Sequence, residues 1–175
     1  GDVMDMYAQQ KLDDKLYMAL DKGDMEACKM HLGNGANPNV SRMGMGHQRF
    51  PLNVAVDQSR PDIIQTLLEF GADPDNYAAP LRQAILDGEL ECVDVLLRHG
   101  ADPNHTGGSL KWLGSVRTPL QDAMVVFDGS QEGFDMIEIL YNAGARTNDA
   151  FEFDMSNGKA TEFLQNLIRE KEAKE

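Results

Sequence analysis

The sequence predicts an all-α solenoid: about four stacked helix pairs, a C-terminal capping helix, and two long hairpin or loop fingers projecting from the connections. Three observations predict it. The first is a sentence written four times. Asp87 to Pro103 reads D-G-E-L-E-C-V-D-V-L-L-R-H-G-A-D-P, and its pattern returns at Gly23–Pro38, Pro61–Pro74 and Phe134–Ala145. Such self-similarity marks a repeat architecture. The second is the spacing inside each copy. Leu90, Val93, Leu96 and Leu97 recur at helical offsets on one face, and Gly100 then stops the helix, as glycine in the left-handed conformation commonly does. The third is where the copies differ in length. Gly35 to Gly71 spans 36 residues, Gly71 to Gly100 spans 29 and Gly100 to Gly144 spans 44. These differences in length fall in the connections or in the turn of the fourth copy, never in a second helix.

Three copies also open on a proline. Thr118-Pro119-Leu120, Ala79-Pro80-Leu81 and Phe50-Pro51-Leu52 precede the first helices, and Gly-Ala-Asn or Gly-Ala-Asp follows the second helix at Gly35, Gly71 and Gly100. In these residues the chain resembles the ankyrin-repeat family. That family's unit runs Thr-Pro-Leu, a short helix, a glycine turn, a second helix with a leucine pair, then Gly-Ala-Asp and a hairpin. Thr118 matches the opening fully, while Ala79 and Phe50 replace the threonine. The resemblance covers roughly Lys11 to Ala145, with a degenerate cap to about Lys171. It implies one ankyrin-repeat solenoid domain over 1–175, with repeats near 11–40, 50–75, 79–104 and 118–146 and a cap at 150–171. It identifies a scaffold and says little about the partner.

In chain order, Val3 to Tyr7 reads as a short tail, either lying on the first repeat or frayed. Leu12, Leu16, Ala19 and Leu20 mark the first helix, and Met25, Cys28 and Leu32 the second. Lys11, Asp13, Asp14 and Lys15 give this capping repeat a polar outer side. The connection from Gly35 to Phe50 is long, and Gly44 and Gly46 suit a hairpin tip. Helices are expected near Leu52–Gln58 and Pro61–Glu69, with Pro61 in a first turn that tolerates it. Gly71 to Ala79 is too short for a finger and predicts a tight turn with Tyr77 partly exposed. The third pair is expected near Pro80–Asp87 and Glu89–His99. Gly100 to Thr118 is the longest connection, carrying Leu110, Trp112, Leu113 and Val116 among glycines. In the fourth copy, the seven residues between Val126 and Phe134 predict a helix-to-helix turn enlarged by five. Phe163, Leu164, Leu167 and Ile168 repeat the spacing of Ile63, Ile64, Leu67 and Leu68 and predict the capping helix, with Glu170–Glu175 a frayed end.

Length and composition fit this reading. The 175 residues are 42% hydrophobic and 26% charged, as in a soluble globular domain, and no apolar run is long enough for a membrane span. The net charge of −13 opposes contact with phosphate backbones and favours a basic partner. Cys28 and Cys92 fall on the apolar stripes of second helices two repeats apart, beyond disulfide reach, and read as small buried hydrophobes. The chain begins with Gly and reads as a processed or trimmed product, which leaves bacterial periplasm and cytoplasm both open.

Catalysis is not expected. No His-x-x-x-His or Cys-x-x-Cys pair suggests zinc, and neither a phosphate-binding G-x-x-x-x-G-K nor a G-x-S-x-G motif occurs. His31 and His99 stand near second-helix ends, where the negative terminus suits them. Asp73-Pro74-Asp75 and Asp102-Pro103-Asn104 look superficially like calcium ligands, but in the family pattern they form the turn into the finger. No cofactor or metal is implied. What remains is binding, through the fingers and the inner first-helix face. The candidate residues are Arg42, Met43, Met45, His47 and Arg49 in the first finger, Tyr77 in the short connection, and Leu110, Lys111, Trp112, Leu113 and Arg117 in the long one. Leu86 is the candidate on the first-helix face, where the family's variable positions also fall on Asp21, Lys22, Asp57, Gln58, Asp87, Val125 and Val126; Leu86, Val125 and Val126 are either exposed there or packed under the neighbouring repeat. Trp112 is either a binding anchor or a residue that pins its own loop. The short middle connection is expected to leave a notch between the two fingers.

Three function classes follow. One is a protein-interaction module that is monomeric when free and clasps a folded partner, such as a basic enzyme. Its narrower form is an inhibitor or immunity protein occluding an enzyme's cleft, because the chain holds almost nothing outside the array. The resemblance extends here to small bacterial ankyrin proteins proposed to protect their maker from its own peptidoglycan-cutting enzymes. The alternative within this class is a generic scaffold or a secreted bacterial effector that binds a host protein. The remaining class, an enzyme or ligand-binding protein, needs a convergent polar cluster that the sequence lacks.

Overall fold

Helix starts and stops are written locally in every repeat. In a computed structural model, residues 3–44, 47–107, 116–148, 150 and 158–174 are described. Among them nine helices and one hairpin follow in order: α1 Val3–Asp21, α2 Met25–Gly33, β1 Arg42–Gly44, β2 His47–Arg49, α3 Pro51–Asp57, α4 Pro61–Glu69, α5 Pro80–Leu86, α6 Leu90–Arg98, α7 Pro119–Val126, α8 Gln131–Asn142 and α9 Gly158–Glu172. Helices α3, α4, α5 and α7 begin on proline, whose fixed φ and missing N–H suit a first turn. Side chains cap two others and reinforce the start of α7: Asp24 accepts from the Ala27 amide, Ser130 from the Gly133 amide, and Thr118 forms a reciprocal capping box with Gln121. Gly35, Gly71, Gly100 and Gly144 end the second helices at φ between 90° and 98°, and the following alanine amide reaches back to the last turn in each case.

The repeats stack through two layers. First helices α1, α3, α5 and α7 pack in order, as do second helices α2, α4, α6 and α8, and α9 closes against α8. Between the layers lie Leu16, Leu20, Leu52, Ile63, Ile64, Leu67, Ile85, Leu96, Leu120, Met124, Ile137 and Leu140, all essentially inaccessible. Each such side chain contributes roughly 1.5–3 kcal/mol by leaving water. Phe134 joins the cap to the array, with its ring centroid 4.9 Å from Phe127 and 4.6 Å from Phe163. Cys28 and Cys92 are buried and free, and burial pushes both thiols up to about 11.

A polar ladder runs along the stack beside the core. Within a turn, the Asn37, Asp73 and Asp102 carboxamide or carboxylate oxygens accept the amides of Asn39, Asp75 and Asn104. The second member then reaches the next repeat: Asn39 accepts the Asp73 amide, Asp75 the Asp102 amide and Asn104 the Arg146 amide. Asp13 starts the ladder by accepting the Asn37 amide. These residues are hydrogen-bonded turn and register elements, as the family pattern implies.

Several sequence expectations require correction. Val3–Tyr7 is neither a tail on the first repeat nor frayed. It is the start of α1, and Val3, Met4, Met6 and Tyr7 stand exposed on it. The first repeat's outer side is therefore apolar as well as charged. In the fourth repeat the five extra residues do not form an enlarged turn. Compared with the third repeat, α7 is longer by one residue, its connection Phe127–Ser130 by one, and α8 by three. Ser130 caps the lengthened helix, so the insertion is absorbed as helix rather than loop. Finally, α9 continues to Glu172, into the segment expected to fray.

Candidate protein-binding site

The first finger is a hairpin in which Arg42 pairs with Arg49, Met43 with Gln48 and Gly44 with His47. Directly opposed residues share a face, so Arg42 and Arg49 project together. They project toward the first helices. The Arg42 guanidinium lies 4.1 Å from the Tyr17 ring centroid and pairs with Asp14. The Arg49 guanidinium sits between Asp21 at 3.6 Å and Asp57 at 3.9 Å. Beneath them the Tyr17 hydroxyl shares its proton between the carbonyls of Val40 and Arg49, at 2.9 and 2.6 Å. Tyr17 is buried, which pushes its phenol up to about 12 despite the two arginines. Met43 turns outward and is 73% exposed. Met45 lies outside the described residues, and of His47 the backbone alone is described.

Along the first-helix row the surface changes character. Asp21, Asp57 and Asp87 stand exposed at the ends of successive helices. Partial loss of water around its carboxyl, with the neighbouring charges of Asp57 and Glu89, raises the Asp87 pKa although the residue stays exposed. Further along, Leu86, Val125 and Val126 are 43%, 44% and 40% exposed. The two valines are thus not packed under a neighbouring repeat. An acidic end and an apolar end share one face, with Arg49 the cation between the first two carboxylates. Tyr77 is likewise exposed.

The long connection is visible at its two feet. At its entry, Arg82 donates from Nη1 to the Thr106 carbonyl at 2.8 Å and from Nε to Asp122 at 2.5 Å. At its exit, Arg117 lies 3.7 Å from the same Asp122 carboxylate. Both Arg82 and Asp122 side chains are almost inaccessible. Gly107, at φ 69°, rests on the short connection so closely that an added Cβ would lie 2.5 Å from the Ala79 Cβ. At the base of the notch expected between two fingers, Gly107 thus lies against Tyr77 and Ala79 of the short connection. Leu110, Lys111, Trp112 and Leu113 lie outside the described residues.

On the opposite side, a groove of about 580 Å³ runs between α6 and α8, lined by Leu90, Glu91, Asp94, Asp135, Glu138, Ile139 and Asn142. Among the described residues, no three His, Cys, Asp or Glu side chains gather to hold a metal ion, and no helix is long and apolar enough to cross a membrane.

Sequence reading missed the anchors. Tyr17, Arg82 and Asp122 are absent from the sequence-based candidates, because each finds its partner far along the chain. Arg82 stands two residues after Pro80 and Asp122 three residues after Pro119, so no shared repeat position pairs them in the sequence. A family model of ankyrin repeats in three copies matches residues 16–107. A comparison with curated proteins found no match.

Proposed function

The chain belongs to the ankyrin-repeat family, and on that premise we propose that it binds a folded, basic protein through its first-helix face and the two long connections. Ankyrin repeats are protein-interaction scaffolds and generally non-enzymatic. The observation that carries the reading is the exposed row on successive first helices: Asp21, Asp57 and Asp87, then Leu86, Val125 and Val126. The carboxylates draw a basic partner in from solution, and the net charge of −13 adds long-range steering. The exposed aliphatic end supplies area to bury. Met43 and Tyr77 extend the surface on the finger side, and Trp112 is the aromatic candidate that the sequence offers in the long connection, since large adaptable and aromatic side chains suit interface cores. In its narrower form the module occludes the cleft of a basic enzyme, as an inhibitor or immunity protein would.

Affinity capture from native extract with mass spectrometry identifies the partner, and titration with variants tests the surface. Val126→Asp and Trp112→Ala should each weaken binding by ~30-fold, about 2 kcal/mol, without lowering the melting temperature. Charge reversal at Glu91, on the second-helix side, should change the salt-dependent on-rate and little else. Unchanged affinity in Val126→Asp together with a large loss in Glu91→Lys would move the site to the α6–α8 groove. A captured peptidoglycan-cutting enzyme sharpens the reading to an inhibitor, and a host protein sharpens it to an effector.

A further inference from the structure

Helix α1 is unlike every other first helix. It is 19 residues long, whereas α3, α5 and α7 are seven or eight. Its inner face holds Asp13, Leu16, Tyr17, Ala19 and Leu20 against the stack. Diametrically opposite, Met4, Tyr7, Lys11, Asp14 and Met18 recur at spacings of three and four, and all five are exposed. Tyr7 is 67% exposed, Met4 72% and Met18 59%. Alternating steps of three and four are the spacing of a coiled-coil seam, in which one helix lays a narrow stripe against another. Arg42 of the first finger reaches this stripe at Asp14, and all five side chains stay exposed.

The chemistry of the seam identifies its occupant. At its centre stand one cation and one anion, Lys11 and Asp14, and on either side stand Tyr7 and Met18. If a second identical helix is laid antiparallel, positions whose numbers add to 25 face each other. Lys11 then meets Asp14 of the second copy and Tyr7 meets Met18 of the second copy, each contact occurring twice by symmetry. A two-fold interface requires this self-complementarity, residue i on j and j on i. The outer layers place a thioether against an aromatic ring, a favourable contact. Asp14 is half exposed while it holds Arg42, so its carboxylate retains acceptor capacity for a second cation.

We propose that the outer face of α1 is a self-association seam on which two copies of this chain pair their first helices antiparallel. From Met4 to Met18 the seam is about 21 Å long. That is short for a protein interface, so the pairing is reversible and concentration-dependent in place of the free monomer the sequence suggests. Each copy carries a net charge of −13, and this long-range repulsion opposes pairing at low salt. Salt screens it over about 10 Å, while the central pairs are in contact and screened less. Dimer content therefore rises with salt from dilute buffer to about 0.15 M.

Sedimentation velocity and light scattering of the whole chain test this across protein concentration. Wild type should shift from one-chain to two-chain mass as concentration rises. Lys11→Asp faces two carboxylates with two carboxylates, and Asp14→Lys faces two ammonium groups with two ammonium groups, so each alone should stay at one-chain mass. Mixed in equal amounts, they restore both central layers and should return to two-chain mass. Asp14→Lys also removes the Arg42 pair, so Tyr7→Glu, at an exposed position that makes no ion pair, provides a second disruption. It should be monomeric with an unchanged thermal melt. A wild type of one-chain mass at all concentrations overturns the proposal. So does a dimer that survives Lys11→Asp and Tyr7→Glu, or a mixture that stays monomeric while both variants fold.

Discussion

The first finger and the long connection leave the same stack and are fastened to it by opposite means. The first is held at its base by a neutral phenol, Tyr17, donating to two backbone carbonyls, with Arg42 and Arg49 arranged around it in half-exposed ion pairs. The second is held by a charged cluster out of water, where Arg82 ties the Thr106 carbonyl to Asp122. In the first case the ions are incidental and the neutral hydrogen bonds carry the attachment. In the second the ions are the attachment, and removing Asp122 strands the buried Arg82 guanidinium. Charge count is therefore a poor guide to how firmly the base of a connection is fastened; burial decides.

The largest expected effect lies in the buried cluster. Asp122→Ala leaves the Arg82 guanidinium without its carboxylate and should lower unfolding stability by about 3–5 kcal/mol. Urea denaturation measures it. Replacing both partners, Arg82→Met with Asp122→Leu, should recover most of that loss, because an apolar pair has no stranded charge. A double variant as unstable as the single one would mean that the loop contact to Thr106, not the ion pair, carries the energy. Next comes Gly107→Ala. Its φ of 69° already disfavours a side chain, and the new methyl would meet Ala79. A loss of about 2 kcal/mol is expected. If the melt does not change, the foot of the long connection is not packed against the short one.

Much of the fold was legible in the sequence because its signals are local. Pro51, Pro61, Pro80 and Pro119 mark first turns, and Gly35, Gly71, Gly100 and Gly144 mark helix ends without reference to anything distant. Errors arose where a local signal was ambiguous. Gly129 and Gly133 made the fourth repeat look loop-rich, but Ser130 caps a helix that runs through Gly133. Val3–Tyr7 was too short to show a period by itself and became legible as helix once joined to Lys11–Asp21. Of the candidate site, repeat position marked Leu86, Val125 and Val126 as inner-face residues but left open whether the two valines are exposed or packed under a neighbouring repeat; all three are exposed. The roles of Tyr17, Arg82 and Asp122 were not legible, because each depends on a residue more than 20 positions away.

A smaller effect is expected at the first finger. Tyr17→Phe keeps the ring under Arg42 and deletes the proton shared by Val40 and Arg49, at about 1–2 kcal/mol. The phenol also carries a pH signature. Its folded pKa of about 12 exceeds the ordinary value of 10, so the folded chain binds this proton more tightly than the unfolded one. That stability is fully present below pH 10 and is lost as pH rises toward 12. Wild type should therefore lose up to about 2–3 kcal/mol more than Tyr17→Phe across that interval. Parallel alkaline stability curves for the two proteins would show that the hydroxyl is not buried.

The smallest effect should come from the arginines, although they are the most conspicuous residues of the finger. Arg49 faces Asp21 and Asp57 at 3.6 and 3.9 Å, with all three side chains open to solvent. At such distances and exposures an ion pair contributes about 0–1 kcal/mol, and salt screens it. Arg49→Gln should therefore leave the melting temperature nearly unchanged, with any difference vanishing at high salt. Arg42→Ala should cost somewhat more, about 0.5–1 kcal/mol, because its guanidinium also covers the Tyr17 ring and that contact does not depend on a second charge. Arg42→Lys separates the two contributions: it keeps the charge near Asp14 but loses the flat stacking surface. If Arg42→Lys behaves like wild type, the charge holds the finger. If it behaves like Arg42→Ala, the stacking does. A loss in Arg49→Gln as large as that in Asp122→Ala would erase the contrast between the two connections, because a solvated pair would then be fastening its finger as firmly as a buried one.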